Sequence, residues 1–92
     1  MRTIWKFTLE MMRQPQPITL PAGAFVLTAR EQGGAICMWV EVDTSAANTV
    51  RRFEVFGTGW EMPPGTRGYI GTVQFTDGSP LVFHVYERLD PC

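Results

Sequence analysis

The feature that most constrains the fold is a pair of alternating segments on either side of a tight turn towards the carboxyl end. The segments read YIGTVQF, residues 69–75, and LVFHVYE, residues 81–87. Their period of two is typical of strands with one buried face. Between them lies Asp77-Gly78, a strong turn signal because glycine adopts positive φ without steric cost. The stretch predicts a β-hairpin. Tyr69, Gly71, Val73 and Phe75 share one side of its first strand, and Leu81, Phe83 and Val85 share one side of its second.

The same alternation recurs upstream and accounts for most of the chain. Strands are predicted over residues 3–10, 24–31, 36–43 and 50–56, with a shorter extended segment over 18–20. In strand 50–56, Phe53 and Val55 are expected to point inward, and Arg52 and Glu54 outward. A twisted sheet of six or seven short strands tends to curl. The predicted fold is therefore all-β, a small antiparallel barrel or a two-sheet sandwich with a meander-like strand order, in one domain over residues 1–92.

Composition and charge exclude several classes of function. Eight basic and nine acidic residues give a net charge of −1, so the chain lacks the polybasic field that drives non-specific nucleic-acid binding. The start of the chain has no continuous apolar stretch of the kind found in signal peptides. No apolar run reaches the ~20 residues of a membrane span. We therefore expect neither a secretory signal nor a membrane-spanning segment.

The two cysteines, Cys37 and Cys92, do not have the spacing of a metal site or of a disulfide framework. Cys37 falls in an apolar strand pattern and is predicted to be a buried small hydrophobe. Cys92 belongs to a tail, residues 89–92, that is predicted to fray. Because disulfides are typical of secreted proteins, their expected absence favours a reducing, cytosolic setting.

Side chains suited to catalysis are few. His84 is the only histidine, and it is predicted to be a surface or interface residue. No nucleophile motif surrounds the serines and threonines, and nucleophilic catalysis needs an oriented base. Glu41, Glu54 and Glu61 occupy positions typical of solvated faces. We therefore predict no enzymatic activity, no catalytic residue, no metal and no cofactor.

The run Gly57-Thr58-Gly59 is the best candidate for a small-ligand site. Consecutive flexible residues can turn their N–H groups towards an anion. Arg67, or alternatively Arg51 or Arg52, would add charge-assisted bonds to a phosphate. The alternative interpretation is a glycine-rich turn required by chain geometry. Trp60 or Tyr69 would stack on a base. The predicted ligand-binding set is therefore Gly57, Thr58, Gly59, Trp60, Arg67 and Tyr69.

Several aromatic and aliphatic residues fall on strand faces that should be polar if only one face were buried. They are Trp39, Phe56, Val82 and Tyr86. Together they would form an exposed apolar patch that marks a partner surface; alternatively, both faces of the strands are buried. Tyrosine, tryptophan and arginine dominate binding energies at interfaces. The predicted partner-binding set is therefore Trp39, Arg52, Phe56 and Tyr86, with a homodimer through this surface as one version.

Four segments carry a resemblance to a known group of proteins. They are TIWKFTLE, AICMWVEVD, the GTG at residues 57–59, and the hairpin YIGTVQF…LVFHVYE. The chain resembles a family of small phage and prophage proteins that has no assigned function. In that family a histidine often follows the GTG, whereas Trp60 stands there in this chain. The resemblance implies a phage or mobile-element origin and expression in the cytoplasm of a bacterial host, and it implies no catalytic residues.

These observations lead to one functional hypothesis and two alternatives. The leading hypothesis is a non-enzymatic phage accessory protein that binds and blocks a host factor, for example as an anti-defence or anti-CRISPR inhibitor. The first alternative is sequestration of a phosphorylated nucleotide signal of host immunity. The second is a structural or assembly role in the virion. The expected partners are thus a host protein or a small nucleotide.

Overall fold

The computed structural model describes residues 1–90, and every regular element in this range is a β-strand. The seven strands are β1 Arg2–Leu9, β2 Gln16–Pro21, β3 Phe25–Gln32, β4 Ala35–Asp43, β5 Asn48–Gly57, β6 Arg67–Gln74 and β7 Val82–Arg88. The all-β prediction is confirmed. Across residues 1–90, none of the elements is a helix with the length and apolar character needed to cross a membrane.

The strands form two antiparallel sheets that pack as a sandwich. A three-stranded sheet has the order β1-β4-β3, and a four-stranded sheet has the order β2-β5-β7-β6. The two alternatives predicted from the sequence are thereby resolved, because the sheets do not close into a barrel. Strand order is meander-like only in the hairpins β3–β4 and β6–β7. The other neighbours are distant in sequence, since β1 lies beside β4, β2 beside β5 and β5 beside β7.

The core lies between the sheets and draws on both of them. The three-stranded sheet contributes Leu9, Ala29, Ile36, Met38, Val40 and Val42, and the four-stranded sheet contributes Leu20, Phe53, Val55, Val73, Phe83 and Val85. These are alternate positions along their strands, so the inward positions predicted for Phe53 and Val55 are confirmed. Burying each of these larger apolar side chains contributes roughly 1.5–3 kcal/mol relative to exposure.

The two sheets approach most closely where β3 crosses β6. A Cβ atom at Gly71 would stand 3.4 Å from the carbonyl oxygen of Ala29, an ordinary contact distance that shows how near the two backbones lie. One residue earlier, β6 contains a β-bulge. Tyr69 lies opposite Tyr86, whereas Gly71 lies opposite Val85, which leaves Ile70 as the extra residue.

The bulge corrects one prediction about the hairpin. A one-residue shift in register moves a side chain to the other face of the sheet. Tyr69 therefore does not share the inward face of Gly71 and Val73; it lies on the outer face, away from the core. Gly78 occupies the turn with φ 84°, as the Asp77-Gly78 signal predicts.

The structure tests the prediction for one of the two cysteines. Cys37 is buried on the outer side of β4, which confirms the prediction that it behaves as a small hydrophobe. Its sulfur lies 4.0 Å from the hydroxyl of Thr8 on the neighbouring strand. Cys92 lies outside the described residues.

Candidate functional site

Glu54 on the outer face of β5 is buried between two arginines. Its side chain is 1% exposed; one carboxylate oxygen accepts from Nε of Arg67 at 2.7 Å and the other from Nη1 of Arg88 at 3.2 Å. The prediction that Glu54 points outward is right about the face. The prediction that this face is solvated is wrong at Glu54. A buried carboxylate is costly unless it is paired and hydrogen-bonded, and here both oxygens are satisfied.

The loop between β5 and β6 covers this ion cluster. Arg67 donates from Nη2 to the carbonyl oxygen of Pro63 at 2.7 Å, and Arg88 donates from Nη2 to that of Pro64 at 3.1 Å. A Cβ at Gly65 would come within 2.5 Å of the Arg88 guanidinium, so glycine lets the loop approach. The loop backbone therefore supplies acceptors to the arginine protons that Glu54 leaves free.

The same arrangement hides Phe56. The guanidinium carbon of Arg67 lies 5.1 Å from the centre of the Phe56 ring, a cation–π geometry. Phe56 is only 2% exposed and cannot contact a partner in this conformation. Of the two interpretations of the outward apolar residues, burial of both faces is therefore right for Phe56.

At the end of β7, Arg88 also pairs with Asp90. Nε of Arg88 donates to the Asp90 carboxylate at 2.5 Å. This bond, followed by the contact with Glu54, raises the pKa of Arg88, and the same bond with Arg88 lowers the pKa of Asp90 below its usual value of 3.8. Arg52 donates to the backbone carbonyl of Asp90. The predicted partner anchor Arg52 is thus engaged within the chain.

A chain of hydrogen bonds crosses the outer face of β6 and β7. The Tyr69 hydroxyl lies 2.6 Å from the Thr72 hydroxyl, which lies 3.1 Å from Nδ1 of His84. On the other side of the ring, Nε2 of His84 lies 2.8 Å from the Thr58 hydroxyl. A neutral imidazole has one donor and one acceptor, and rotating hydroxyls can satisfy both. These hydrogen bonds therefore hold the His84 ring and the Tyr69 side chain in one orientation.

A row of aromatic rings runs beside these hydrogen bonds. Tyr86 packs edge-to-face on buried Phe56 with centroids 6.0 Å apart, and on Tyr69 with centroids 5.6 Å apart. The row ends at Tyr69, which is 61% exposed. We refer to the resulting surface as the Tyr69 face and define it by Thr58, Tyr69, Thr72, His84 and Tyr86.

The Gly57-Thr58-Gly59 run forms a turn whose backbone is used within the protein. The Thr58 N–H donates to the carbonyl of Val82 and the Trp60 N–H to that of Gly57, both at 3.0 Å. The Trp60 ring fills the space beside Gly57, where a Cβ would stand 2.6 Å from it, and packs edge-to-face on Phe83. The turn interpretation fits this geometry better than an anion site.

The arginines predicted to accompany that loop are also engaged. Arg67 is bonded to Glu54, and Arg51 pairs with Glu87 through Nε at 2.7 Å, a contact that raises the pKa of Arg51. Of the six residues in the predicted ligand-binding set, the structure brings Thr58 and Tyr69 into the Tyr69 face. Trp60 and Arg67 instead pack the loop against the sheet.

Trp39 lies on the other sheet. It lies on β4 opposite Lys6 of β1 and Thr28 of β3, on the outer face of the three-stranded sheet. The predicted surface of Trp39, Phe56 and Tyr86 therefore does not exist as one patch, because the outer faces of a sandwich point in opposite directions. Tyr86 is the member that contributes to an accessible surface.

A polar groove adjoins the Tyr69 face where β6 meets β3. It has a volume of about 620 Å³ and shares Thr72 with that face; Thr28, Arg30, Gln74 and Thr76 also line it. Sequence reasoning missed Thr72 and Arg30, and it gave His84 no specific neighbours. The alternating pattern did place Thr72, Gln74 and His84 on outward positions, but only the strand pairing shows that they are adjacent.

Comparison with known proteins identifies the family. A family model described as Domain of unknown function (DUF7352) matches residues 1–91, and the chain belongs to this family. A search of curated proteins and a search of solved structures found no match. The predicted resemblance to a family without an assigned function is thus confirmed, whereas its phage origin stays a prediction.

Proposed function

We propose that this member of the DUF7352 family is a binding protein that blocks a protein of the bacterial cell through the Tyr69 face. The observation that carries the proposal is the position of Tyr69. The bulge at Ile70 turns this ring outward, and its hydroxyl is held by Thr72 at 2.6 Å. Exposed aromatic side chains that are already ordered contribute strongly to interfaces, because little conformational entropy is lost on binding.

The environment of the Tyr69 face supports rigid presentation. The ion cluster around Glu54 fastens the loop that carries Thr58, and Thr58 in turn contacts His84. Recognition residues supported by ordered neighbours keep their geometry before the partner arrives. The adjoining groove, with Arg30 exposed in it, offers polar contacts at the rim of such an interface.

The contacts of His84 favour binding over nucleophilic catalysis. In a catalytic triad the far side of the imidazole contacts a carboxylate that stabilises the imidazolium. Here Nδ1 meets the hydroxyl of Thr72, and Glu54 on the same sheet face is held by two arginines. The imidazole that contacts the Thr58 hydroxyl therefore has a hydroxyl, and not a carboxylate, on its far side to stabilise the imidazolium.

The biological setting that we propose is a phage or prophage accessory protein in the bacterial cytoplasm, acting against host defence. Its support is the resemblance carried by residues 3–87, and the absence of a polybasic field is consistent with a protein partner. Restoration of plaque formation by a targeted phage in a CRISPR-carrying host that expresses the protein would support an anti-CRISPR role. Unchanged plaque counts would count against it.

The binding proposal is tested with two matched aromatic variants. Tyr69→Ala removes the centre of the Tyr69 face, and Trp39→Ala removes an aromatic residue from the opposite sheet. In a quantitative pull-down from a bacterial lysate, we expect a protein that is retained by the native chain and by Trp39→Ala, and lost with Tyr69→Ala. The interaction is then repeated with the purified partner. Equal retention by all three chains contradicts the proposal, provided that circular dichroism shows each variant folded.

The two alternatives predicted from the sequence are separated by simple measurements. A rise in melting temperature with a phosphorylated nucleotide would favour sequestration of a signal, and we expect none because Arg67 and two loop N–H groups are engaged. High abundance in purified virions would favour a structural role. Either result would displace the blocking function.

A further inference from the structure

β1 is an open edge of the three-stranded sheet. It is paired along all of Arg2–Leu9 with β4, and within residues 1–90 no strand pairs with its other side. The start of the strand is well anchored, since the N–H of Thr44 donates to the Met1 carbonyl at 2.9 Å. An ordered edge with unpaired backbone groups is a template for another strand.

Of the other three edge strands, β3 and β6 lie against each other where the sheets meet, and β2 is protected by proline. Two of the six residues of β2 are proline, Pro17 and Pro21, and proline cannot donate to a further strand. β1 contains no proline in its eight residues, and Lys6 is its single lysine. Edge protection by proline is therefore confined to the four-stranded sheet.

Apolar side chains near the β1 edge are incompletely covered. Trp5 lies on the inward face opposite Val40, yet it remains 38% exposed. Its ring packs edge-to-face on Phe7 with centroids 6.4 Å apart. Ile4, on the outer face, is 56% exposed.

We propose that β1 pairs with the β1 of a second copy of this chain, antiparallel and centred on Trp5, to give a continuous six-stranded sheet β3-β4-β1-β1-β4-β3. A two-fold axis perpendicular to the sheet keeps each face on its own side, so directly opposed residues must share a face. One residue must then lie directly opposite its own copy, with the axis midway between the two; we call this an axis through that residue. Symmetric dimers of this kind present the same patch on both copies.

Charge selects the register among the central possibilities. An axis through Lys6 opposes the two lysines, and an axis through Ile4 opposes Arg2 to the second copy's Lys6. Like charges directly opposite destabilise a sheet. An axis through Trp5 opposes Arg2 to Thr8, Ile4 to Lys6 and the two Trp5 rings to each other, with no like charges opposed. This register also covers Trp5 on both copies.

The first test uses opposite charges at one position. Ile4→Glu places a carboxylate opposite the second copy's Lys6, whereas Ile4→Lys places a like charge there. Ile4 also lies opposite Glu41 of its own chain, a contact that is present in monomer and dimer alike. Since each contact occurs twice, we expect Ile4→Glu to strengthen the dimer about tenfold and Ile4→Lys to weaken it about tenfold in sedimentation equilibrium. Phe25→Lys, at an exposed residue on β3 of the same sheet, is the control and should leave the equilibrium unchanged.

The second test fixes the register by cross-linking. In a Cys92→Ser background, Trp5→Cys places two thiols opposite each other on the axis, within reach of a disulfide after mild oxidation. Thr3→Cys places its thiol opposite Phe7 and should remain monomeric on a non-reducing gel. Cys37 is buried and is present in both variants.

These experiments test the β1–β1 dimer independently of the proposed function, because none of them involves the partner of the Tyr69 face. Native protein that sediments as a monomer at every concentration overturns the proposal. So does an equal response to the two Ile4 substitutions, or equal cross-linking of Trp5→Cys and Thr3→Cys. Far-ultraviolet circular dichroism of each variant shows whether the sandwich is intact.

Discussion

Glu41 and Glu54 show how differently the two sheets use the same pair of residue types. Each glutamate lies on the outer face of its sheet and accepts hydrogen bonds from arginine. Glu41 bonds to Arg2 with a side chain that is 39% exposed, whereas Glu54 bonds to Arg67 and Arg88 with a side chain that is 1% exposed. The difference comes from the loop 58–66, which covers one face and has no counterpart on the other within residues 1–90.

The comparison teaches that an ion pair gains structural importance through what covers it. An exposed pair is screened by water and contributes little, while a buried carboxylate must keep its partners or be expelled. On the four-stranded sheet, the pair between strand and loop therefore fixes the loop and with it the Tyr69 face. On the three-stranded sheet, the pair between Arg2 and Glu41 stays exposed to solvent.

The largest expected effect is that of Glu54→Gln. This change leaves Arg67 without a carboxylate in a covered site and leaves Arg88 with Asp90 alone. Breaking a buried pair in this way costs about 3–5 kcal/mol. We expect the free energy of unfolding in urea to fall by that amount. A loss as small as that of an exposed pair would show that water reaches the cluster and would remove the contrast between the sheets.

Gly57→Ala tests whether the loop is held by packing as well as by charge. The new Cβ would stand 2.6 Å from the Trp60 ring, so the indole must move off Phe83, at a cost of about 1–3 kcal/mol for overpacking. The indole N–H signal of Trp60 in a nuclear magnetic resonance spectrum should shift.

The matched control for this change is Gly71→Ala. Its Cβ would meet Ala29 atoms only at 3.4 Å and beyond, so it should cost under about 1 kcal/mol. Equal losses for the two alanine variants would mean that Trp60 is not tightly packed.

The pH dependence of stability sharpens the comparison at Asp90. Arg88 lowers the pKa of Asp90 below its usual value of 3.8. The stabilisation is therefore fully present above that value and is lost as the pH falls through the lowered pKa. We expect Asp90→Asn to flatten the decline in unfolding free energy below about pH 4.

Asp43 at the end of β4 provides the reference on the other sheet. Ser45 donates to it from hydroxyl and N–H and lowers its pKa in the same sense, so the Asp90 variant should retain part of the decline. If Asp90→Asn shows the same decline in unfolding free energy at acid pH as the native protein, the Arg88–Asp90 contact contributes nothing to stability.

The smallest expected effect is that of Glu41→Gln. Its partner Arg2 is 60% exposed, and exposed pairs contribute about 0–1 kcal/mol. The unfolding midpoint in urea should barely change, and the residual effect should vanish at high salt because screening weakens surface pairs. A loss comparable to that of Glu54→Gln would indicate a contact that covers Arg2, as in an assembly through the β1 edge.

Much of the fold was predictable because strand alternation is a local signal. The core positions Met38, Val40, Phe53 and Val55 follow from a period of two, and the hairpin turn follows from the tolerance of glycine for positive φ. The candidate site was less accessible. Trp39 and Tyr86 carry the same outward pattern, but strand order sends them to opposite sheets.

The sequence by itself determined that this chain forms an antiparallel β domain with one apolar face on each strand, because side-chain alternation requires only the neighbouring residues. Only the tertiary structure decided that Glu54 is buried, that Tyr69 points outward and that His84 lies between Thr58 and Thr72. Each of these outcomes depends on a non-local event: a loop folding over a sheet, a bulge at Ile70, or the pairing of β6 with β7. Burial of a polar residue and the register of a bulge are properties of what the chain meets in space.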